Sequence, residues 1–206
     1  FGGEIGEETT YFVYFSDPWL TGDHVSLSGS VGQVSGKNPF HSYNYKERGF
    51  RIGTGFYKKK YHKFNFALTI FYSSIDTNGI NVEILEKYDN IPLHYKYISG
   101  ELTYHYDTRD IYVDPMSGAL MTFSLTPSLS FGQSENHYRF WFQYIKYFKI
   151  SDGYLNPVLS FDTRFLFKQS KSFPIGAFEY LGGEDFVRGY SPIPKKNSFE
   201  VTHLIE

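Results

Sequence analysis

Two groups of charged residues have types and spacings that chemistry can use. Asp107, Arg109 and Asp110 put two carboxylates and a guanidinium within four consecutive positions. A carboxylate whose proton affinity is set by a neighbouring arginine is raw material for acid–base catalysis. Asp162 and Arg164 stand two residues apart, which on a strand puts them on one face. Each set also has a plainer reading, and the plainer one is favoured. In the first, the carboxylates accept backbone N–H groups in a turn and Arg109 pairs with one of them. In the second, the charges sit on a wet wall and pair with neighbouring strands. Glu101, His105, Arg51, Arg139 and Gln143 fall under that second reading.

The other chemical signatures are missing. His24, His41, His62, His94, His105, His137 and His203 show no i,i+4 spacing and no clustering with carboxylates, so no metal site is expected. The chain has no cysteine, which rules out disulfides and thiolate ligands and suits an envelope compartment. There is no Gly-x-Ser-x-Gly elbow, phosphate loop or dinucleotide fingerprint. Neither an enzyme nor a cofactor is expected. A net charge of −2 gives no reason to expect nucleic acid. Lys58-Lys59-Lys60 reads as a solvated turn, with contact to anionic lipid heads as its second role.

What positions these residues is a set of strands. The 206 residues suffice for one domain, and 20% of them are aromatic, with 21 Phe and 19 Tyr. That load favours strands and matches the aromatic girdles of membrane barrels. The mean hydropathy is nevertheless negative, because a barrel shows lipid only every second residue. No run approaches the roughly 20 apolar residues of a membrane helix; the richest, Phe64 to Tyr72, is interrupted by Asn65 and Thr69.

Period-two alternation recurs instead. In 119–131, Met121, Phe123, Leu125, Leu129 and Phe131 oppose Thr122, Ser124, Thr126, Ser128 and Ser130. In 157–167, Leu159, Phe161, Phe165 and Phe167 oppose Ser160, Asp162 and Arg164. In 95–106, Ile98, Leu102, Tyr104 and Tyr106 oppose Glu101, Thr103 and His105, and in 24–34 Val25, Leu27 and Val31 oppose Ser26, Ser28 and Ser30. Further strands are predicted at 8–15, 47–58, 64–76 and 138–149, and a ninth starting near Ser198. Lengths of about 10–12 residues fit a tilted crossing of a bilayer. Alternation cannot tell inside from outside; strand length and aromatic load favour lipid on the apolar side.

The connections alternate in character. Asp17–Asp23, Lys58–Lys63, Asp107–Gly118 and Ser151–Asn156 are tight, whereas three of Ser35–Lys46, Thr77–His94, Gly132–His137 and Lys168–Asn197 are long. Membrane barrels have short periplasmic turns and longer outer loops. About nine strands cannot close an even-numbered barrel. The start Phe-Gly-Gly carries no Met or signal peptide, so a presequence is expected before Phe1 in an exported protein.

Three segments carry a signature. Gly182-Gly183-Glu184-Asp185-Phe186-Val187-Arg188-Gly189-Tyr190 lies in the longest loop. Tyr106-Asp107-Thr108-Arg109-Asp110 is followed by Asp114-Pro115-Met116-Ser117-Gly118, and Phe15-Ser16-Asp17-Pro18-Trp19-Leu20-Thr21-Gly22 forms an earlier turn. The first resembles the Val-Arg-Gly-Phe/Tyr loop of the BamA-like outer-membrane barrel superfamily, with its preceding Gly-Gly. The second is similar to that family's periplasmic turn: Asp107, Arg109 and Asp110, then Pro115 and Gly118. The third is similar to an earlier turn in the same barrels. Order and spacing agree along essentially the whole chain.

The resemblance implies an all-β fold, an antiparallel transmembrane β-barrel of about sixteen strands, inside the even-numbered range of such barrels. Residues 1–206 are then expected to form part of that barrel, with N-terminal periplasmic repeats and the last C-terminal strands outside them. It implies an integral protein of the bacterial outer membrane that inserts other β-barrel proteins, its partners being the lipid bilayer, unfolded outer-membrane clients, periplasmic chaperones and accessory lipoproteins. In the family the Arg-Gly loop tucks into the lumen and its arginine pairs with acidic wall residues. That role carries over to Arg188, supported by Gly182, Gly183, Val187, Gly189 and Tyr190, with Glu206 resembling one of its two acidic latch partners. Polypeptide secretion by a TamA-like or two-partner transporter, and a passive porin or surface antigen, stay open as alternatives.

Overall fold

The structure is a computed structural model. It describes side chains in residues 9–20, 25–37, 43–76, 93–132, 135–151 and 157–169, and backbone strands alone at 2–4, 179–181, 193–195 and 198–205. The strands are β1 (Gly2–Glu4), β2 (Glu8–Asp17), β3 (Val25–Lys37), β4 (Asn44–Lys58), β5 (His62–Asp76), β6 (His94–Asp107), β7 (Gly118–Phe131), β8 (His137–Lys149), β9 (Val158–Gln169), β10 (Glu179–Leu181), β11 (Ile193–Lys195) and β12 (Ser198–Ile205). Among the described residues there is no helix.

One sheet of ten strands runs in the order β1-β2-β3-β4-β5-β6-β7-β8-β9-β12. Each strand pairs antiparallel with the next one in the chain, except that β12 follows β9 and skips the β10–β11 hairpin. Among the described residues β1 and β12 do not pair, so this is an open barrel wall. The nine strands expected from alternation are all present. The short β1, and the hairpin inside the 168–197 connection, were not anticipated: at three residues each they offer no alternation to read.

Strands β3 to β9 hold 12 to 15 residues, more than the roughly 9–11 needed to cross a bilayer. At several ends the extra residues are mostly polar and continue the ladder past the apolar zone, as at Ser16–Asp17, Ser35–Lys37 and Asn44–Lys46. That is why pattern reading placed several ends short.

Register fixes the faces. Directly paired residues in an antiparallel ladder share a side. The outward face so defined carries Val31, Phe50, Ile70 and Ile98 in one row, and Leu27, Thr54, Phe66, Leu102 and Leu125 in another. The opposite face carries Ser30, Arg51, Thr69 and Ser99. Six of its polar side chains, Ser73, Ser99, Thr103, Ser124, Ser128 and Asp162, are buried. Val31, Ile70 and Leu129 on the outward face are 53%, 48% and 56% exposed. No second layer covers them among the described residues. Aromatic side chains pack along the outward face, with Phe56 stacked on Phe64 at 5.4 Å, and Phe140 edge-on to Phe123 and Phe165 at 5.0 and 5.5 Å. Such pairs add about 0.5–1.5 kcal/mol each beyond area burial.

Pro127 lies inside β7. Its ring leaves no N–H for the ladder, and the β6–β7 pairing passes from Ser99↔Ser128 to Leu102↔Leu125 without pairing Gly100 or Glu101.

Candidate functional site

The Asp107–Gly118 turn is built by carboxylates that gather N–H donors. Asp107 ends β6, and its two oxygens receive Arg109 Nε at 2.9 Å, Nη2 at 2.7 Å and the Arg109 backbone N–H at 3.1 Å. The planar fork matches the carboxylate, a geometry a lysine cannot copy. Arg109 Nη1 donates to the Tyr112 carbonyl at 3.2 Å, and the guanidinium lies 4.8 Å from the Tyr112 ring centre. Asp110 Oδ1 accepts from the N–H groups of Ile111, Met116 and Ser117 at 2.9, 3.0 and 3.2 Å. Those donors, Ser117 first, hold the Asp110 carboxyl below the usual carboxylate range.

The ends of the turn are clasped by Thr108. Its N–H donates to the Ala119 carbonyl at 2.8 Å, and its Oγ1 accepts from the Ala119 N–H at 3.0 Å. Gly118 has φ +101°, and a Cβ there would strike the Thr108 carbonyl oxygen, so only glycine fits. Pro115 is half-buried in the turn. A donor–acceptor bond from the Asp107 N–H to the Tyr61 carbonyl, 3.0 Å, ties this turn to its neighbour at 59–61. There Lys59 takes a left-handed φ of 64°, and Lys60 Nζ lies 5.2 Å from the Tyr61 ring centre. The Asp17 turn repeats the same device: Asp17 Oδ1 accepts the Trp19 N–H two residues on, at 2.9 Å.

The arrangement therefore supports the structural reading of Asp107, Arg109 and Asp110: each carboxylate is occupied by donors that favour its ionised form. Thr108, Tyr112 and Tyr61 were not singled out in the sequence. Thr108 carried a signal, since threonine beside a turn aspartate is a recurrent backbone clasp; Tyr61 carried none.

The second constellation lines the inner face. Arg51, Glu101, His105, Arg139, Gln143, Asp162 and Arg164 all share it, as the register through β4 to β9 requires. Arg51 crosses β5 to reach Glu101 on β6, with Nη1 and Nη2 both 3.1 Å from Oε2, and touches Thr69 on the way at 3.3 Å. Thr103 Oγ1 donates to Glu101 Oε1 at 3.1 Å. Asp162 receives Gln143 Nε2 across the ladder at 3.1 and 2.9 Å, and Arg164 Nε from its own strand at 2.9 Å. The expected cross-strand pairing holds for Gln143, while Arg164 pairs within β9. His105 Nδ1 lies 3.1 Å from Thr122 Oγ1. These pairs make a polar wall; among the described residues no group of three or more His, Asp and Glu could hold a metal.

The loop signature is bracketed rather than seen. Glu179, Tyr180 and Leu181 pair with Lys195, Pro194 and Ile193, so β10 and β11 flank the segment that carries the motif. Gly182, Gly183, Val187, Arg188, Gly189 and Tyr190 lie outside the described residues, as does Glu206.

A polar wall on one side, bare hydrocarbon side chains on the other and strands long enough to span a bilayer define the wall of a transmembrane β-barrel. Comparison with known proteins gives the family: a model described as the Omp85 superfamily domain matches residues 1–195. The chain belongs to the Omp85 superfamily, a family of outer-membrane barrels. It is similar to the crystal structure of BamA from Haemophilus ducreyi lacking POTRA domains 1-3, with a TM-score of 0.74 and 18% identity over 90% of this chain. That likeness shows the fold. This chain corresponds to 38% of that structure's length. Comparison with curated proteins finds no match.

Proposed function

We propose that this chain is part of the barrel of an outer-membrane protein assembly factor, one that folds and inserts β-barrel proteins into the bacterial outer membrane. The observation that supports it most is the inside-out wall in a chain of this superfamily: Ser99, Thr103 and Ser124 covered, Leu68, Ile70 and Leu129 bare. Such a wall sits in lipid, and the work proposed for it is mechanical. Exposed strand edges of a barrel can template an incoming strand by β-augmentation. Clients are unfolded outer-membrane proteins; periplasmic chaperones and accessory lipoproteins would deliver and support them.

Depletion of the full-length protein in its own host tests this. Folded outer-membrane proteins, read by heat-modifiable gel mobility, should fall together. Loss of one secreted polypeptide with normal barrel proteins would instead make it a secretion barrel. Large steady pores in planar bilayers, with no effect of depletion, would make it a porin. Within the same reading Arg188 braces the lumen. Arg188→Ala in the full-length protein should lower assembly activity while leaving strand content, read by circular dichroism, intact. Full activity with unchanged stability would rule out the brace.

A further inference from the structure

The outward wall is not apolar up to its rim. One row across β2 to β6 reads Tyr11, Gln33, Arg48, Tyr72 and Lys96. The next outward row towards mid-height reads Val13, Val31, Phe50, Ile70 and Ile98. Between the rows lies a groove of about 710 Å³, floored by the backbone of Gly32 and Gly49. That volume falls within the roughly 300–1,000 Å³ of small-ligand sites. Its lower wall is hydrocarbon and its upper rim carries Arg48.

The cations at this rim are organised. Arg48 Nε donates to Gln33 Oε1 at 2.9 Å, which ties the guanidinium to its neighbour in the same outward row. Lys96 Nζ lies 5.4 Å from the Tyr72 ring centre. Lys46 is the next outward residue of β4 and is exposed. Strands are about 4.8 Å apart, so the Arg48 and Lys96 backbones stand about 10 Å from one another, within reach of one headgroup for such long side chains. Among the described residues none of the three forms an ion pair. Among the described residues the outward carboxylate at this end is Asp76, which pairs in register with Asn44 at the strand terminus. Three cations at the edge of hydrocarbon call for a counter-ion, and a guanidinium fork suits phosphate.

We propose that this rim and groove form a binding site for an anionic phosphate-bearing lipid, in the leaflet on the side of the 77–93 connection. Its phosphate rests on Arg48, Lys46 and Lys96, and one acyl chain lies in the groove above Val31, Phe50 and Ile70. The inference rests on the barrel lying in a membrane and does not depend on the insertase reading.

The test is native mass spectrometry of the full-length protein released from micelles doped with phosphatidylglycerol. Wild type should retain the lipid, and Arg48→Ala/Lys96→Ala should lose roughly tenfold in occupancy. Val31→Trp, which fills the groove and keeps every charge, should also weaken retention. Lys63→Ala, a cation removed from the opposite face, should not. Diacylglycerol, which has chains without phosphate, should not be retained, and millimolar inorganic phosphate should not displace the phospholipid. Full retention by the double variant, or displacement by inorganic phosphate, overturns the site. Insertion into nanodiscs and heat-modifiable mobility are measured in parallel. A wild type that fails to insert overturns the membrane reading and the site with it, whereas a protein that inserts but retains no lipid overturns the site alone.

Discussion

On the inner face of the wall, Ser73, Ser99, Ser124 and Ser128 are 1%, 6%, 8% and 2% exposed. On the outer face, Phe50, Leu68 and Ile70 are 45%, 45% and 48% exposed. A water-soluble protein distributes these residue types the other way round. The difference teaches what each face has as its solvent. The inner side chains crowd one another and bond sideways, as Thr103 Oγ1 does to Ser124 Oγ at 3.2 Å. The outer ones have only each other along the strand rows, and hydrocarbon completes their surroundings at no cost.

The sharpest way to break the comparison is to place one charge on either side. Leu68→Lys, at the middle of the outer face, should destabilise the folded barrel in vesicles by about 2–4 kcal/mol. Ser28→Lys, on the inner face opposite Gly53, should change stability by under about 1 kcal/mol. Urea titration in lipid vesicles measures both. Equal costs would mean that the two faces share a solvent, and the membrane reading would fail.

A smaller loss is expected where the wall turns. Gly118→Ala forces a side chain into φ +101° against the Thr108 carbonyl and should cost about 1–3 kcal/mol. An unchanged unfolding midpoint would show that the turn can rearrange. Smaller again is the inner pair Arg51–Glu101, whose side chains are 45% and 29% exposed. A double-mutant cycle with Arg51→Ala and Glu101→Ala should give a coupling of about 0.2–1 kcal/mol, as for solvated pairs. A coupling well above that would mean the inner wall is dry at this point.

The smallest effect belongs to Asp110 in the turn. Its folded carboxyl lies below the usual range because the Ser117, Ile111 and Met116 N–H groups favour its ionised form. Its contribution is therefore complete above the unfolded value of about 3.9 and is lost as pH falls through the lower folded value. Hydrogen exchange at the Met116 and Ser117 amides should be faster in Asp110→Asn than in wild type at neutral pH, and the difference should vanish in strong acid. A difference independent of pH would assign the effect to packing.

Much of this molecule could be read from the chain alone. The alternation of Met121, Phe123 and Leu125 with Thr122, Ser124 and Thr126 fixes a strand, because side chains of successive residues must point oppositely. Asp107, Arg109 and Gly118 announce a turn through local donors and backbone sterics. These are interactions within a dozen residues, so spacing suffices. The tertiary structure alone decided which side of the alternation is covered, since a period of two is the same seen from either face. It also decided that Arg51 meets Glu101 across an intervening strand, and that Gln33, Arg48 and Lys96 share a row at the rim. Those neighbours come from the register of several ladders added together, and no local pattern in one strand encodes that sum.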